Sequence, residues 1–254
     1  MAKNDLDLTV AIITLNEESN MDRCLRSLPK SAEVVVLDSG SSDQTCQIAE
    51  RYGARVETRP FTNYADQKNA AIGLASRQWI LSLDADEELS PQLRQSLESF
   101  VATSQSGVMK VRRRLVFMGR PMSYGRTVDY PLRLFRKGQG QFEAAIHEKF
   151  VTKASTTPDI LAGDLLHYSY HNIEDYFSTF NRYTTLIASN HQRQGRHNPT
   201  ILAHLLRPWF EFLNRYFLKL GFLDGYPGYT YALFSSLYTY VKYAKLRELK
   251  AQKD

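Results

Sequence analysis

Leu8–Leu15 is an almost unbroken apolar run, rich in β-branched residues. Such runs read as strands buried on both faces, the pattern of a parallel sheet. The run ends in Asn16-Glu17-Glu18-Ser19, a polar stretch suited to capping a helix over Met21–Leu28. The pattern then repeats. Glu33–Asp38 predicts a second strand, Ser39-Gly40-Ser41-Ser42-Asp43 a turn and cap, and Gln44–Tyr52 a helix closed by Gly53. Arg55–Thr58 predicts a third strand, Tyr64–Leu74 a helix, and Trp79–Leu83 a fourth strand. Ser90-Pro91 then starts a helix through Phe100. Strands alternating with helices predict βαβ units, whose ligands bind at the carboxyl edge of the sheet.

The rhythm changes after Gly107. Val108–Met118 reads as a long strand carrying Arg112, Arg113 and Arg114, and Leu132–Phe135 and Phe142–Val151 read as further strands of an antiparallel or mixed region. From Ile173 onward Phe177, Phe180, Tyr183, Thr184 and Ile187 recur at helical spacing. Gln192–Pro199 reads as a polar linker, and Ile201–Leu249 is an aromatic, basic tail. The expected fold is α/β: a mainly parallel central sheet flanked by helices, with a helical C-terminal appendage. The expected division is 1–172, with halves 1–104 and 105–172, followed by 173–254.

Composition changes this picture mainly through charge. The net charge is +5, but Arg182 to the C-terminus holds 11 Lys and Arg against 4 Asp and Glu, while the preceding 181 residues carry a net −2. A basic, aromatic tail suits an anionic surface. No nucleic-acid motif accompanies it, so no nucleic-acid partner is expected. Gly225–Val241 is free of charge and flanked by Lys219, Lys242, Lys245, Arg247 and Lys250. It is short for a membrane span and contains Pro227 and Gly228, so it reads as a helix in a membrane interface, as a helix that packs in an oligomer, or as part of a helical hairpin packed on the main domain. Two cysteines make neither a disulfide scaffold nor a cysteine zinc site. The N-terminus has no apolar core of the signal-peptide kind. A cytoplasmic protein is expected.

The chemistry concentrates at strand ends. Asp84-Ala85-Asp86 offers two carboxylates one residue apart, which can share a hard cation such as Mg²⁺ or Mn²⁺ with phosphate oxygens. By itself an Asp-x-Asp is more often structural, and Glu87 and Glu88 suit a helix N-terminus. Asp38 can accept from a base N–H or a ribose hydroxyl. Asn16 and Glu17 leave the first strand in the same way.

Four motifs occur in order: Thr14-Leu15-Asn16-Glu17-Glu18, Val36-Leu37-Asp38-Ser39-Gly40-Ser41-Ser42-Asp43-Gln44-Thr45, Gln67-Lys68-Asn69-Ala70-Ala71 and Leu83-Asp84-Ala85-Asp86-Glu87. Over about Leu8–Glu88 the chain closely resembles the inverting family-two glycosyltransferases of the GT-A fold. Arg133-Leu134-Phe135-Arg136, Ile146-His147-Glu148, Leu166-His167-Tyr168-Ser169-Tyr170 and Gly221-Phe222-Leu223-Asp224-Gly225 resemble the lipopolysaccharide core glucosyltransferase branch.

The resemblance implies roles. Leu15, Glu17 and Asp38 would hold the nucleoside of a UDP-sugar, and Lys68 would reach its phosphates or sugar; without the motif, Lys68 reads as a solvated helix residue. Asp84 would contact ribose or metal-bound water, and Asp86 would ligate Mg²⁺ or Mn²⁺. His167 would be a further ligand or a diphosphate contact, although a lone histidine is more often structural. Arg133 and Arg136 would clamp phosphate from one side of a strand. An inverting enzyme needs a base for the acceptor hydroxyl. Glu148 is the first choice, with Asp129, Asp164 and Asp175 as fallbacks, because the usual family aspartate is missing.

No Gln-x-x-Arg-Trp motif of the polymerising members occurs, so single-sugar addition is expected. The implied function is metal-dependent transfer of a hexose, glucose first, to the lipopolysaccharide inner core, at the inner membrane as a peripheral protein. Alternatives are a protein, peptide or other envelope-glycan acceptor, or an inactive membrane-associated scaffold. An acidic Asn16-Glu17-Glu18 in place of a basic glycine-rich loop counts against a nucleotidyltransferase. Oligomeric state stays open.

Overall fold

The computed structural model describes residues 5–104, 107–143, 148–153, 157–194 and 200–251. In chain order its elements are β1 (Leu8–Thr14), α1 (Glu18–Ser27), β2 (Glu33–Asp38), α2 (Thr45–Arg51), β3 (Arg55–Thr58), α3 (Tyr64–Gly73) and β4 (Trp79–Asp84). There follow β5 (Glu87–Leu89), α4 (Pro91–Thr103), β6 (Val108–Phe117), β7 (Arg120–Pro121), β8 (Val128–Asp129) and β9 (Leu132–Arg136). Then come β10 (Gly140–Glu143), β11 (Lys149–Thr152), β12 (Asp159–His167), α5 (Ile173–Arg193), α6 (Ile201–Leu213) and α7 (Gly225–Ala251). They form two compact units: Met1–Arg114 with Asp129–Tyr168, and Leu115–Val128 with Ser169–Asp254.

The first unit is a mixed α/β sheet in the order β3-β2-β1-β4-β9-β6-β12-β5. β3, β2, β1 and β4 are parallel, as the βαβ rhythm requires. β9 is antiparallel to β4 and β6, and β5 to β12. All seven residues of β1 are buried. Leu8, Val10 and Ile12 enter one core with Met21, Leu25 and Leu97, whereas Ala11 and Ile13 enter a second core with Ala71, Ile80 and Phe135. The two-residue period of a strand therefore places alternate apolar residues in different layers.

Local chemistry sets the helix ends. Asn63 opens α3 by accepting from Asp66 N at 2.9 Å, and Ser90 opens α4 by accepting from Leu93 N at 3.2 Å, with Pro91 in the first turn. Two expectations are corrected. Glu87 and Glu88 lie in a strand paired with β12 rather than at a helix N-terminus, because the chain extends again after the Asp84-Ala85-Asp86 turn. Phe142–Val151 contributes to two antiparallel strands, β10 and β11, rather than to one strand, and 144–147 lie outside the described residues. Phe142 and Phe150 are register partners with ring centroids 5.4 Å apart, so their even spacing imitates a single strand with one apolar face.

The second unit is helical. Phe117 is 2% exposed and packs edge-on against Tyr176 and Tyr231 at 5.8 and 5.4 Å. α7 packs against both α5 and α6. Between α6 and α7 lie a π-helical turn (Asn214–Leu218), left-handed Leu220 and a 3₁₀ turn (Gly221–Asp224). Asp224 accepts from Ser123 N and Tyr124 N, and Arg215 donates to Gly125 O at 2.9 Å, so the Gly221–Gly225 motif closes this unit on itself. The charge-free stretch opens α7 with Pro227, Gly228, Thr230, Ala232 and Ser235 buried. Among the described residues no helix is long and apolar enough to cross a membrane. α5 runs to Arg193, two residues into the expected linker, and 195–199 lie outside the described residues.

Candidate active site

The carboxyl ends of β1, β2 and β4 meet at one edge because these strands are parallel and in register: Thr14 stands beside Asp38, and Ile13 beside Asp84. The polar residues that follow are laced together. Asn16, at φ 55°, donates its backbone N–H to Ser41 Oγ and accepts Ser42 N at its side-chain oxygen, both at 2.8 Å. Glu17 N donates to Thr45 Oγ1 at 2.8 Å, and Glu18 N to Asp43 Oδ2 at 3.1 Å. Asp38 is buried and accepts from Gly40 N, Ser41 N and the Ser41 hydroxyl, so its carboxylate shapes the loop after β2. Leu15 is exposed at the same edge. Glu17 is half-buried, with Oε2 accepting from Asn20 Nδ2 at 2.7 Å.

Lys68 is 3% exposed on α3, the opposite of a solvated helix lysine. Its Nζ lies 3.0 Å from Asp84 Oδ1, 2.9 Å from Glu148 Oε1 and 5.4 Å over the Phe142 ring. A buried ammonium is tolerated only with such partners. Asn69 fixes β10: its Nδ2 donates to Phe142 O at 2.9 Å and its Oδ1 accepts Phe142 N at 2.8 Å. Glu148 immediately precedes β11, so consecutive residues of α3 hold both β10 and the acidic residue before β11. Ile146 and His147, named with Glu148 in the sequence, lie outside the described residues.

Arg133, also buried, places Nη2 2.8 Å from Asp84 Oδ2 and 2.6 Å from Glu87 Oε1. Glu87, 1% exposed, also accepts from Arg113 Nη1 at 3.1 Å and from Asp84 N at 3.0 Å. Burial alone would raise the Asp84 pKa, but Lys68 and Arg133 outweigh it and hold the carboxyl well below the usual carboxylate range. Arg136 is a correction. Three residues along a strand reverse the side-chain face, and the antiparallel register sets Arg136 opposite Trp79, the first residue of β4. Its guanidinium lies 5.7 Å from the Trp79 ring, at the other end of the strand from Asp84. It cannot share one side with Arg133.

Asp84 and Asp86 turn to different partners. Asp86 Oδ2 lies 3.1 Å from His167 Nε2 at the end of β12. Burial alone would lower the His167 pKa, but this carboxylate raises it. Tyr168 steadies the turn: its N–H donates to Asp86 O at 2.9 Å, its hydroxyl to Glu88 Oε2 at 2.6 Å, and Arg23 covers its ring at 3.5 Å. Burial, then the Glu88 contact, pushes the Tyr168 hydroxyl up to about 12. Among the described residues no three His, Cys, Asp or Glu side chains converge as a metal cage. Asp86 and His167 supply one oxygen and one nitrogen donor. That set fits a Mg²⁺ or Mn²⁺ ion that takes its other ligands from phosphate and water.

The fallback bases are otherwise engaged. Asp129 receives both Nε and Nη2 of Arg113, at 2.9 and 2.6 Å. Asp164 is paired with Arg112 and Arg114 at 3.2 and 2.8 Å. Asp175, in the second unit, accepts His171 N and donates its own N–H to Asn172 in the cap of α5.

The family model described as Glycosyl transferase family 2 matches residues 9–155, which contain the loops, Lys68, both aspartates and Glu148. The chain belongs to glycosyl transferase family 2. It is 31% identical over 261 residues to the lipopolysaccharide core biosynthesis glycosyltransferase LpsC of Rhizobium meliloti, covering 98% of this chain and 94% of that one. It is 29% identical over 255 residues to a glycosyltransferase of Rickettsia typhi, covering 95% and 87%. A crystal structure of S. aureus TarS in complex with UDP-GlcNAc overlaps 97% of this chain and 92% of its own, at 17% identity and a TM-score of 0.46.

Two features of this glycosyltransferase were not anticipated from its sequence. Glu87 is the buried hub of the arginine pairs, and Arg113 belongs to that hub rather than to a polar strand surface. The only sequence signal was three consecutive arginines in a strand that is apolar apart from them and Lys110, each of which demands an acidic partner once the strand is central.

Proposed function

We propose that this glycosyltransferase moves a single hexose, glucose in the first instance, from a UDP-sugar to the lipopolysaccharide inner core, with inversion and with the help of Mg²⁺ or Mn²⁺. The observation that carries the reading is Lys68, whose one ammonium joins Asp84 of the metal motif to Glu148. Leu15, Glu17 and Asp38 hold the nucleoside at the carboxyl edge. Asp86 and His167 hold the cation, with Asp84 on the ribose side. When bound, the cation offsets the charge on the departing diphosphate. Arg133 supports this wall through Asp84 and Glu87.

Glu148 takes the proton of the acceptor hydroxyl as its oxygen forms a bond to the anomeric carbon. The bond from that carbon to the diphosphate oxygen breaks, and UDP leaves with the electron pair. Lys68 fixes the Glu148 carboxylate by its 2.9 Å contact, so the base does not have to be ordered at the moment of reaction.

The likeness to LpsC along nearly the whole chain favours a core-glycan acceptor. In this reading residues 1–172 form the catalytic domain, and 173–254 attach the enzyme peripherally to the cytoplasmic face of the inner membrane, where that acceptor is held in lipid. The test is release of UDP from UDP-glucose with purified core-lipid acceptors of graded truncation. Acceptor-stimulated, metal-dependent release supports the proposal. Release that no core acceptor stimulates counts against it.

A further inference from the structure

We propose that α6 and the turns after it form a surface that inserts into an anionic phospholipid bilayer. Ile201, Leu202, Leu205, Leu206, Trp209 and Phe210 are 52% to 71% exposed. Their spacing places them on one face of α6. Leu213, Phe217 and Leu218 extend the stripe into the π-helical turn. The opposite face is already satisfied by α7: His204 Nε2 lies 3.1 Å from Tyr240 O, and the Ser236 hydroxyl donates to Pro208 O at 2.8 Å. Single exposed leucines need no explanation, but a continuous stripe of this length marks an interaction surface.

Charge selects the occupant. From Ile201 to Tyr226 the exposed charged residues are Arg207 and Lys219, both cationic. The two acids of this stretch are taken up inside the unit: Glu211 pairs with Arg215 at 2.6 Å, and Asp224 binds the Ser123 and Tyr124 amides. The apolar stripe thus carries a positive rim with no exposed negative charge. Anionic headgroups complement such a rim, whereas a two-fold contact with a second copy would present like charges to like. Trp209 and Tyr226, 68% and 69% exposed, are the amphipathic aromatics that a bilayer interface favours. The lipid-facing element is therefore α6 rather than Gly225–Val241, much of which is packed. This deepens the membrane attachment proposed above and rests on that reading only for the choice of bilayer; the donor site plays no part in it.

The test uses the full chain with phosphatidylethanolamine–phosphatidylglycerol vesicles, phosphatidylcholine vesicles as the comparison, and UDP binding measured in parallel. The chain has two tryptophans, of which Trp79 is buried. Emission from Trp209 should shift to the blue on the anionic vesicles and be quenched by brominated acyl chains. Leu205→Glu with Trp209→Glu should weaken vesicle binding at least about tenfold while UDP binding stays unchanged. Arg207→Glu with Lys219→Glu should reduce binding to the level seen on phosphatidylcholine. Vesicle binding unaffected by both pairs would overturn the proposal. So would a wild-type dimer that ignores vesicles and becomes a monomer in the Leu205/Trp209 variant. Loss of UDP binding in the wild-type chain, with vesicle binding intact, would instead overturn the donor-site reading and leave this one standing.

Discussion

Lys68 and Glu148 stand eighty residues apart in sequence and 2.9 Å apart in space. The contact closes a short path: Asn69 pins the backbone of Phe142 in β10, β11 pairs with β10, and Glu148, immediately before β11, meets the neighbouring Lys68. Because Lys68 also holds Asp84, one side chain couples the candidate base to the wall of the candidate nucleotide site.

Removing that coupling tests it. Lys68→Met should leave Asp84 with Arg133 alone and take the ammonium from Glu148, and should lower turnover by roughly 10²-fold or more, the scale for losing one preorganised electrostatic group. UDP release from UDP-glucose reads the loss. Lys68→Arg should recover little, since a planar fork does not replace a buried point charge.

Glu148→Gln keeps the shape and a contact to Lys68 but removes the proton acceptor. Turnover should fall by about 10²- to 10⁴-fold, the usual worth of a general base, while UDP affinity measured calorimetrically is retained. Near-normal turnover would return the role to another group.

Glu87 predicts a stability effect separate from chemistry. Glu87→Leu leaves Arg133 with its charge buried and only Asp84 to meet it, and should cost about 3–5 kcal/mol in urea unfolding. A loss below about 1 kcal/mol would mean that the hub contributes little to holding the fold together.

Gly163 tests the close approach of β12 to α4. At φ +104° a Cβ there would lie 2.3 Å from Leu93 N, so Gly163→Ala should destabilise by more than about 1 kcal/mol. An unchanged unfolding midpoint would contradict the close packing of these two elements.

The parallel half of the sheet was legible in the sequence because β1, β2 and β4 carry apolar runs that end in polar residues, so periodicity and turn chemistry agree, and the short polar β3 follows from the repeat. Asp84 and Asp86 were legible as a pair, but not their separate partners: those come from Lys68, Arg133 and His167, which only the folded sheet brings close. Arg136 misled because two arginines three residues apart look equivalent until side-chain alternation and antiparallel register carry one to the far end. Phe142 and Phe150 misled in the opposite way, two strands imitating one. The exposed face of α6 was hidden in a tail whose aromatic content reads equally well as core, since burial of a helix face depends on what packs there and not on its composition alone.

In the function proposed above, Asp86 anchors a divalent cation needed for transfer from a nucleotide sugar. The most direct measurement is UDP release from UDP-glucose with core-lipid acceptor, before and after chelation, in the wild-type chain and in Asp86→Ala. Activity should be lost on chelation, return with Mn²⁺ or Mg²⁺, and not be restored by either ion in Asp86→Ala. Metal-independent release, or an Asp86→Ala protein as active as wild type, would contradict it.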